Sequence, residues 1–215
     1  MITESIVELR DIRKKRKGFC LEIPELKIPK GFATALIGEN GAGKSTLMNI
    51  MAGVRLDFEG QIHYFGGEKD EALIREKVGY TAPNSYFLPQ WTQKSVKKVS
   101  QLLFDGFSPE RFDELCVELG LGENKKKVSG LSDGMRMKLA LAGVFARDTQ
   151  FLLLDEPASP LDPLMRDKLC NMIQEYLEQG NGEKSVFFST HNIADMENVT
   201  DYCIIMEQGC VVEPS

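Results

Sequence analysis

A glycine-rich segment of eight residues constrains the fold of this chain more than any other feature. Residues 38–45 read GENGAGKS and follow the continuous apolar run FATALI at residues 32–37. Such a run indicates a strand that is buried on both faces of a parallel sheet. The residues from Lys44 to about Ala52 read as a helix, which Gly53 ends. The sequence therefore predicts an α/β fold with a glycine-rich loop between a buried strand and a helix.

The residue types in this loop fit the binding of a phosphate chain. The pattern G-x-x-x-x-G-K-[ST] lets backbone N–H groups point inward, and the helix N-terminus adds positive potential. Lys44 would supply a charge for the β- and γ-phosphates, and Ser45 a hydroxyl for Mg²⁺. The loop alone indicates a nucleotide enzyme, a class that includes kinases, GTPases and motors. The predicted nucleotide-binding residues here are Gly38, Glu39, Asn40, Gly41, Ala42, Gly43, Lys44, Ser45 and Thr46.

Two carboxylates stand at the end of a second apolar strand. Residues 151–156 read FLLLDE, and the carboxyl edge of a parallel sheet is where α/β folds bind their ligands. Asp155 is predicted to hold Mg²⁺, and Glu156 to polarise the attacking water as general base. A core strand that ends in two solvated acids is the alternative, and the phosphate-binding loop argues against it.

A histidine ends a third apolar strand, VFFSTH at residues 186–191. A lone histidine at a strand end is ordinarily a structural group. His191, however, lies one strand beyond FLLLDE, from where an imidazole could donate to the γ-phosphate and sense its loss. We therefore predict that Glu156, His191 and Lys44 are the catalytic residues.

The remaining sequence predicts a single domain over residues 1–215 with an inserted helical part. Candidate strands near the N-terminus flank the basic run RKKRK at residues 13–17. That run is interpreted as a solvated hairpin or loop, or else as a positive patch near nucleotide phosphates or membrane headgroups. Residues 95–147 have helical periodicity, and strands and helices alternate again after them. This pattern predicts an antiparallel N-terminal portion, a parallel-sheet core and a small helical subdomain.

Charge and hydropathy limit the possible partners. The chain has 26 Lys and Arg against 32 Asp and Glu, so its net charge of -6 does not favour nucleic acid. No segment approaches the ~20 apolar residues that span a bilayer, so a membrane role would require spanning helices from another chain. The five cysteines, with no C-x-x-C pair, are expected to be mostly buried and reduced.

The motifs together resemble the ATP-binding cassette (ABC) family. The segments GENGAGKS, VGYTAPN, LSDGM, FLLLDEP, SPLD and STH occur in this order over nearly the whole chain. They match the family's phosphate loop, Q-loop, signature, acidic strand end, D-loop and switch histidine. Plain P-loop kinases and GTPases do not have this arrangement. The resemblance implies the ABC ATPase fold, a P-loop parallel-sheet core, with ATP and Mg²⁺ as cofactors.

The resemblance also implies a head-to-tail dimer with a second ABC ATPase subunit, identical or different. Each ATP would lie between the phosphate loop of one subunit and the signature of the other. Ser132 and Gly134, at the start of the signature helix, would then hold the γ-phosphate, and Asp162 would cross the interface. Asp133 and Met135 stand where the family usually has Gly and Gln, and the added negative charge is expected to weaken closure.

Two further departures concern the nucleotide. The Q-loop has no glutamine at the usual place; Asn84 is our candidate for its contacts to nucleotide and Mg²⁺, and Gln90 is the alternative. The family often stacks adenine on an aromatic residue near the second strand, where this chain is basic and Phe19 is a weak candidate. The use of GTP therefore remains open.

The resemblance favours the motor subunit of a membrane transporter. The segment SYFLPQWTQ at residues 85–93 holds four large apolar side chains, including the one tryptophan. It either receives a helix of transmembrane permease subunits or packs as core under a loop. The compact chain resembles motor subunits of exporters, which lie on the cytoplasmic face of the membrane. A soluble ABC ATPase that acts as a nucleotide-driven clamp or switch is the alternative.

Overall fold

The computed structural model describes residues 4–83, 87–123 and 125–212. Within them, strands and helices alternate around the predicted loop. The strands are β1 (Ser5–Arg16), β2 (Phe19–Pro29), β3 (Ala33–Ile37), β4 (Glu59–Tyr64), β5 (Val78–Thr81), β6 (Phe151–Asp155), β7 (Ser185–Thr190), β8 (Tyr202–Glu207) and β9 (Cys210–Val212). The helices are α1 (Lys44–Met51), α2 (Glu71–Lys77), α3 (Gln93–Leu103), α4 (Pro109–Glu118), α5 (Asp133–Phe145) and α6 (Pro163–Gln179).

The described strands form one mixed sheet in the order β4-β1-β2-β9-β8-β3-β7-β6-β5. Strands β8, β3, β7, β6 and β5 pair in parallel, and β1 pairs with both β2 and β4 in antiparallel fashion. This confirms the predicted parallel core with an antiparallel N-terminal portion. Strand β3, which leads into the loop, lies between β8 and β7 and pairs in parallel with both, so the loop emerges from the interior of the sheet.

Apolar side chains of the central strands alternate between two hydrophobic clusters. Leu152 and Leu154 of β6 belong to the cluster on one side, whereas Phe151 and Leu153 belong to the cluster on the other. All four are fully buried. Burial on both faces explains why these strands read as continuous apolar runs and why their carboxyl ends are held rigidly in place.

The predicted helical segment is present and contains helices α3, α4 and α5. Each begins after a hydroxyl side chain that accepts a backbone N–H of the first turn: Thr92, Ser108 and Ser132. Its apolar faces share a cluster with one side of the sheet, for example through Phe112 and Leu141. The segment is thus fixed to the core rather than tethered by loops alone.

The structure confirms the hairpin form of the basic run and corrects two details, one in this run and one in the thiols. The run is the end of β1 and the start of the tight turn into β2, because β1 continues through Arg16 and the chain turns at residues 17–18. Lys14 in this run is not solvated; its side chain is 13% exposed and paired with Asp57. The cysteines are mostly accessible, since Cys116 is buried but the other four are half-buried or exposed.

Helix α2 and strand β5 were not predicted individually. Helix α2 has seven residues and none of them is buried, so it carries no apolar periodicity. Among the described residues, the helices are all too short or too polar to cross a bilayer.

Candidate functional site

The loop between β3 and α1 has the shape of an anion cradle. Gly43, which precedes the helix, has a φ of 111°, a conformation that favours glycine. A Cβ at Gly43 would also lie 2.8 Å from Cζ of Phe19. At Gly38, a Cβ would lie 2.3 Å from the carbonyl oxygen of Met206. Any larger residue at either position would push the loop off its supporting strands.

The side chain of Lys44 lies inside this loop. It is 5% exposed, and its Nζ donates to the carbonyl oxygens of Gly38 at 2.6 Å and Glu39 at 3.3 Å. The same atom lies 3.2 Å from Oε1 of Glu156. The lysine predicted for phosphate binding and the glutamate predicted as general base are therefore in direct contact.

Asp155 is a buried carboxylate beneath the loop, with 1% of its surface exposed. Burial raises its pKa above the ordinary value of 3.8, and hydrogen bonds from Ser189 and Ser45 oppose that rise. Ser189 Oγ donates to Asp155 Oδ1 at 2.5 Å. The two predicted metal ligands of the described chain, Ser45 and Asp155, are thus brought together.

Glu156 has a left-handed backbone, with a φ of 48°, which is uncommon for a residue other than glycine. Its N–H donates to Ser189 Oγ at 2.9 Å, and this bond holds the strained conformation. Its Oε1 is buried and accepts no hydrogen bond from the described residues, because the contact with Lys44 is close in distance but does not meet hydrogen-bond geometry. A free buried acceptor of this kind suits a general base that must take a proton from water.

His191 contacts the other oxygen of the same carboxylate. Its Nδ1 lies 2.8 Å from Glu156 Oε2, and the imidazole side chain is 45% exposed. Because a carboxylate only accepts, Nδ1 carries the proton in this bond. Donation to a phosphate through the other nitrogen would then require the protonated imidazolium. The three predicted catalytic side chains form one continuous chain of contacts.

Ser189 is a functional residue that the sequence analysis missed. Its hydroxyl donates to the Asp155 carboxylate and accepts from the backbone N–H of Glu156. A small polar residue at the buried end of an apolar strand, two positions before His191, was the available signal.

Of these groups, Lys44, Ser45 and Glu156 line a cavity of about 470 Å³. A volume of this size is within the range of small-molecule sites. Phe19 lines it, but its ring packs on Gly43, as the short Cβ distance indicates. The cavity is lined by Arg16, Phe19, Glu39, Asn40, Gly41, Gly43, Lys44, Ser45, Thr46, Pro83 and Glu156.

The residues present also fit a magnesium ion. Mg²⁺ prefers oxygen ligands and uses one or two carboxylates together with substrate phosphates. Asp155 supplies a carboxylate that burial makes costly to ionise, and Ser45 supplies a hydroxyl next to it. A bound cation would offset the cost of keeping Asp155 charged.

Ser132, Gly134 and Asp162 lie outside this cavity but close to one another. Ser132 caps α5 by accepting the N–H of Met135 at 3.2 Å, and Asp162 caps α6 in the same way. A Cβ at Gly134 would lie 2.8 Å from the carbonyl oxygen of Pro160, in the segment before α6. The predicted signature and D-loop thus adjoin each other at Gly134 and Pro160. Neither segment lines the nucleotide cavity of the same chain.

The departures from the family pattern have structural counterparts. Asp133 is ion-paired with Arg136 one turn along α5, so its charge is partly neutralised. Asn84, our candidate for the Q-loop role, lies outside the described residues. Gln90, the alternative, is exposed in a turn before α3.

The aromatic segment before α3 borders a groove of about 290 Å³. Phe87 and Trp91 have ring centroids 6.5 Å apart and pack partly against the core cluster. Leu103, at the end of α3, also lines the groove and is 67% exposed. The aromatic rings of this segment are half-buried against the core and also border an apolar groove, so the predicted docking role stays a prediction. The groove is lined by Tyr80, Thr81, Ala82, Phe87, Trp91, Val99, Ser100, Leu103, Phe104, Ala140, Gly143, Val144 and Arg147.

The family model and the related sequences agree on one family. A family model described as ABC transporter matches residues 21–159, more than half of the chain. The bacitracin transport ATP-binding protein BcrA of Enterococcus faecalis is 29% identical over 99% of this chain and 70% of its own length. An energy-coupling factor transporter ATP-binding protein of Thermotoga maritima is 31% identical over 82% of this chain and 68% of its own. The chain spans 66% and 62% of the length of two uncharacterized ABC transporter ATP-binding proteins, from Nostoc and Synechocystis.

Solved structures have the same fold. The ATP-binding subunit of an ABC transporter superposes with a TM-score of 0.81 at 24% identity, covering 96% of this chain and 88% of that one. A dimeric ATP-binding cassette bound to ADP and phosphate superposes with a TM-score of 0.80 at 23% identity, covering 96% and 97%.

Proposed function

The chain belongs to the ABC transporter family of ATP-binding proteins and is an ATPase of that family, and on this premise we propose that it is the separate motor subunit of a membrane transporter. The observation that carries the proposal is the contact of Lys44, Glu156 and His191 at the mouth of the phosphate loop. These groups can hold a triphosphate and activate water beside it.

Each of these groups has one role in the proposed reaction. The loop N–H groups and Lys44 would bind the phosphate oxygens, and Ser45 and Asp155 would hold Mg²⁺, which would supply positive charge for the transferred phosphoryl group. Glu156 accepts a proton from the attacking water through Oε1, once Lys44 has turned from this oxygen to the phosphate. His191 holds the other oxygen and so fixes the direction of the carboxylate. The backbone of Glu156 is held by Ser189.

We propose that the active form is a head-to-tail dimer with ATP at its interface. Support comes from Ser132, Gly134 and Asp162, which lie on one surface and outside the cavity of their own chain. A second subunit is therefore needed to bring a signature helix to the phosphate. The solved relative described as dimeric has this fold. Asn84 is proposed to contact the nucleotide and Mg²⁺.

The transport role rests on the apolar groove beside α3. We propose that it receives a helix of transmembrane permease subunits, which would place the chain on the cytoplasmic face of the membrane. We further propose export, although the relative named for bacitracin transport, which matches 99% of the chain, carries no direction in its name. A relative named for nickel import also matches, so direction must be measured on vesicles that contain the permease.

The decisive experiment measures nucleotide binding and oligomeric state together. We expect the purified chain to hydrolyse ATP with Mg²⁺, and Lys44→Ala to abolish nucleotide binding in calorimetry. Glu156→Gln should keep binding but slow turnover about 10²–10⁴-fold, the usual value of a general base, and should accumulate an ATP-dependent dimer in sedimentation. Unchanged turnover in Glu156→Gln would remove this residue from the role of base.

A further inference from the structure

Two segments of the chain contact Glu156, and a single arginine joins these segments to each other. The D-loop, residues 159–162, follows Glu156 along the chain, and the N–H of Ser159 donates to the carbonyl oxygen of Glu156 at 3.3 Å. The segment after β7 begins with His191, whose Nδ1 lies 2.8 Å from Glu156 Oε2. One segment therefore reaches Glu156 through the backbone and the other through the side chain.

Arg166, in the second turn of α6, contacts both segments with its guanidinium. Its Nε donates to the carbonyl oxygen of Leu161 in the D-loop at 3.0 Å. Its Nη1 donates at 2.6 Å to Oδ1 of Asp195, which lies four residues after His191. The side chains of Arg166 and Asp195 are 29% and 17% exposed, so salt screens this ion pair less than it screens a surface pair.

Both partners of Arg166 belong to segments that are themselves held in place. Asp162, at the end of the D-loop, accepts the N–H of Met165 at 3.1 Å and so fixes the D-loop to the first turn of α6. Met196, next to Asp195, is fully buried in the core. Because neither end of the connection is a loose loop, a displacement of the D-loop would be transmitted through Arg166 to the segment that carries His191.

We propose that Arg166 is a positioning residue for ATP hydrolysis, which ties the D-loop to the segment after β7 and thereby holds the imidazole of His191 against Glu156. A guanidinium can make both contacts at once because its N–H donors diverge from one rigid plane. Neither Arg166 nor Asp195 lines the nucleotide cavity, so the pair acts through His191. The inference rests on the proposed function and adds a route from the dimer interface to the catalytic carboxylate.

The first test observes the imidazole directly. The chain has two histidines, His63 in β4 and His191, so NMR of histidine-labelled protein would resolve one imidazole signal for each. Arg166→Ala is expected to shift the signal of His191 and to leave that of His63 unchanged. Lys168→Ala is the matched control and should shift neither signal, because Lys168 is a half-buried cation of the same helix that donates to the carbonyl oxygen of Glu118 instead. An unchanged His191 signal in Arg166→Ala would overturn the proposal.

The second test asks whether Arg166 and Asp195 act as a unit. Arg166→Ala and Asp195→Ala should each lower kcat for ATP about 10- to 100-fold, as small misplacements of groups around the reacting atoms do. The Kd of a non-hydrolysable ATP analogue, measured by calorimetry with Mg²⁺, should stay the same. The double variant should be no slower than Arg166→Ala, since the second substitution removes no further contact between the two residues. Lys168→Ala should keep full kcat.

The contrary outcomes are distinct from one another. Additive losses in the double variant would show that Arg166 and Asp195 act independently, and a raised Kd with an unchanged kcat would show a role in binding. An equal loss of kcat in Lys168→Ala would show a general effect of α6. Each of these results would overturn the proposal. Failure of the unsubstituted chain to bind ATP would instead refute the nucleotide function, and the imidazole signals would still report whether Arg166 holds His191.

Discussion

Ser189 has the most consequential pair of hydrogen bonds in the molecule, because it contacts the groups proposed for metal binding and for general base catalysis. Its hydroxyl fixes the orientation of the Asp155 carboxylate and holds the left-handed backbone of Glu156. Loss of this hydroxyl would leave both carboxylates in place but less well oriented.

Ser189→Ala is therefore expected to lower kcat about 10- to 100-fold, as loss of a residue that orients catalytic ligands usually does. The KM for ATP should change little, because the hydroxyl does not line the nucleotide cavity. Ser185→Ala is the matched control, since Ser185 is a buried serine at the other end of β7 that accepts the N–H of Gly31. Steady-state kinetics in which both variants behave alike would contradict the assignment.

The raised pKa of Asp155 predicts how the free energy of unfolding depends on pH. An acid whose pKa is raised by folding keeps a proton that the unfolded chain has released, so stability falls as pH rises from 3.8 through the raised pKa. At pH values above the raised pKa, Asp155 is charged in the folded protein, and the free energy of unfolding is reduced by the full cost of burying that charge.

Asp155→Asn should accordingly raise the Tm of the nucleotide-free protein by a few degrees at pH 8 and by less at pH 4. The same variant should lose Mg²⁺-dependent ATPase activity. A scanning calorimeter would measure the first effect. A lower Tm at pH 8 would mean that Asp155 is stabilised by its hydrogen bonds more than burial penalises it.

At the scale of elements, the start of α5 and the segment before α6 are packed against each other. Gly134→Ala would place a methyl group 2.8 Å from the carbonyl oxygen of Pro160, so one of the two elements must shift. Both carry residues proposed to meet the partner's nucleotide. We expect ATPase activity to fall about tenfold, since small displacements of positioning groups cost this much or more.

Nucleotide affinity of the isolated subunit should be unchanged in this variant, because Gly134 lies outside the cavity. Gly130→Ala serves as control: a Cβ there meets nothing within 4 Å and the residue precedes the same helix. If both variants retained full activity, the packing of α5 on the segment before α6 would have no part in catalysis.

The elements that build the phosphate-binding side of the cavity could be predicted from the sequence, and the wall contributed by the β1–β2 hairpin could not. Strands β3, β6 and β7 are buried on both faces, so their apolar runs and terminal polar residues are visible in the sequence. The position of Arg16 depends instead on how far β1 continues and on the pairing of Lys14 with Asp57, 43 residues away. No local pattern encodes such a contact. Helix α2 escaped prediction because it has only seven residues and none of them is fully buried.

At the scale of the whole molecule, the groove beside α3 is the surface on which transport depends. Leu103→Asp would place a charge in this groove, where burial by a partner would leave it unpaired. We expect the variant to lose co-purification with its membrane-spanning partner while its basal ATPase activity stays normal.

Val117→Asp provides the comparison for this experiment. Val117 on α4 is 69% exposed, close to the 67% of Leu103, but does not line the groove. Affinity capture from solubilised membranes should recover the partner with Val117→Asp and not with Leu103→Asp. Equal recovery would mean that the partner binds elsewhere or that the chain acts without one.

The contact between Lys44 and Glu156 has an energetic consequence for the first step of the cycle. The ammonium group of Lys44 cannot keep its contact with the Glu156 carboxylate and also bind an incoming phosphate. The carboxylate and the phosphate therefore compete for Lys44. The measured affinity for nucleotide then includes the work of separating this pair. A neutral glutamine at position 156 removes the competitor, and so Glu156→Gln, slow as it is in turnover, is expected to bind nucleotide more tightly than the unsubstituted chain.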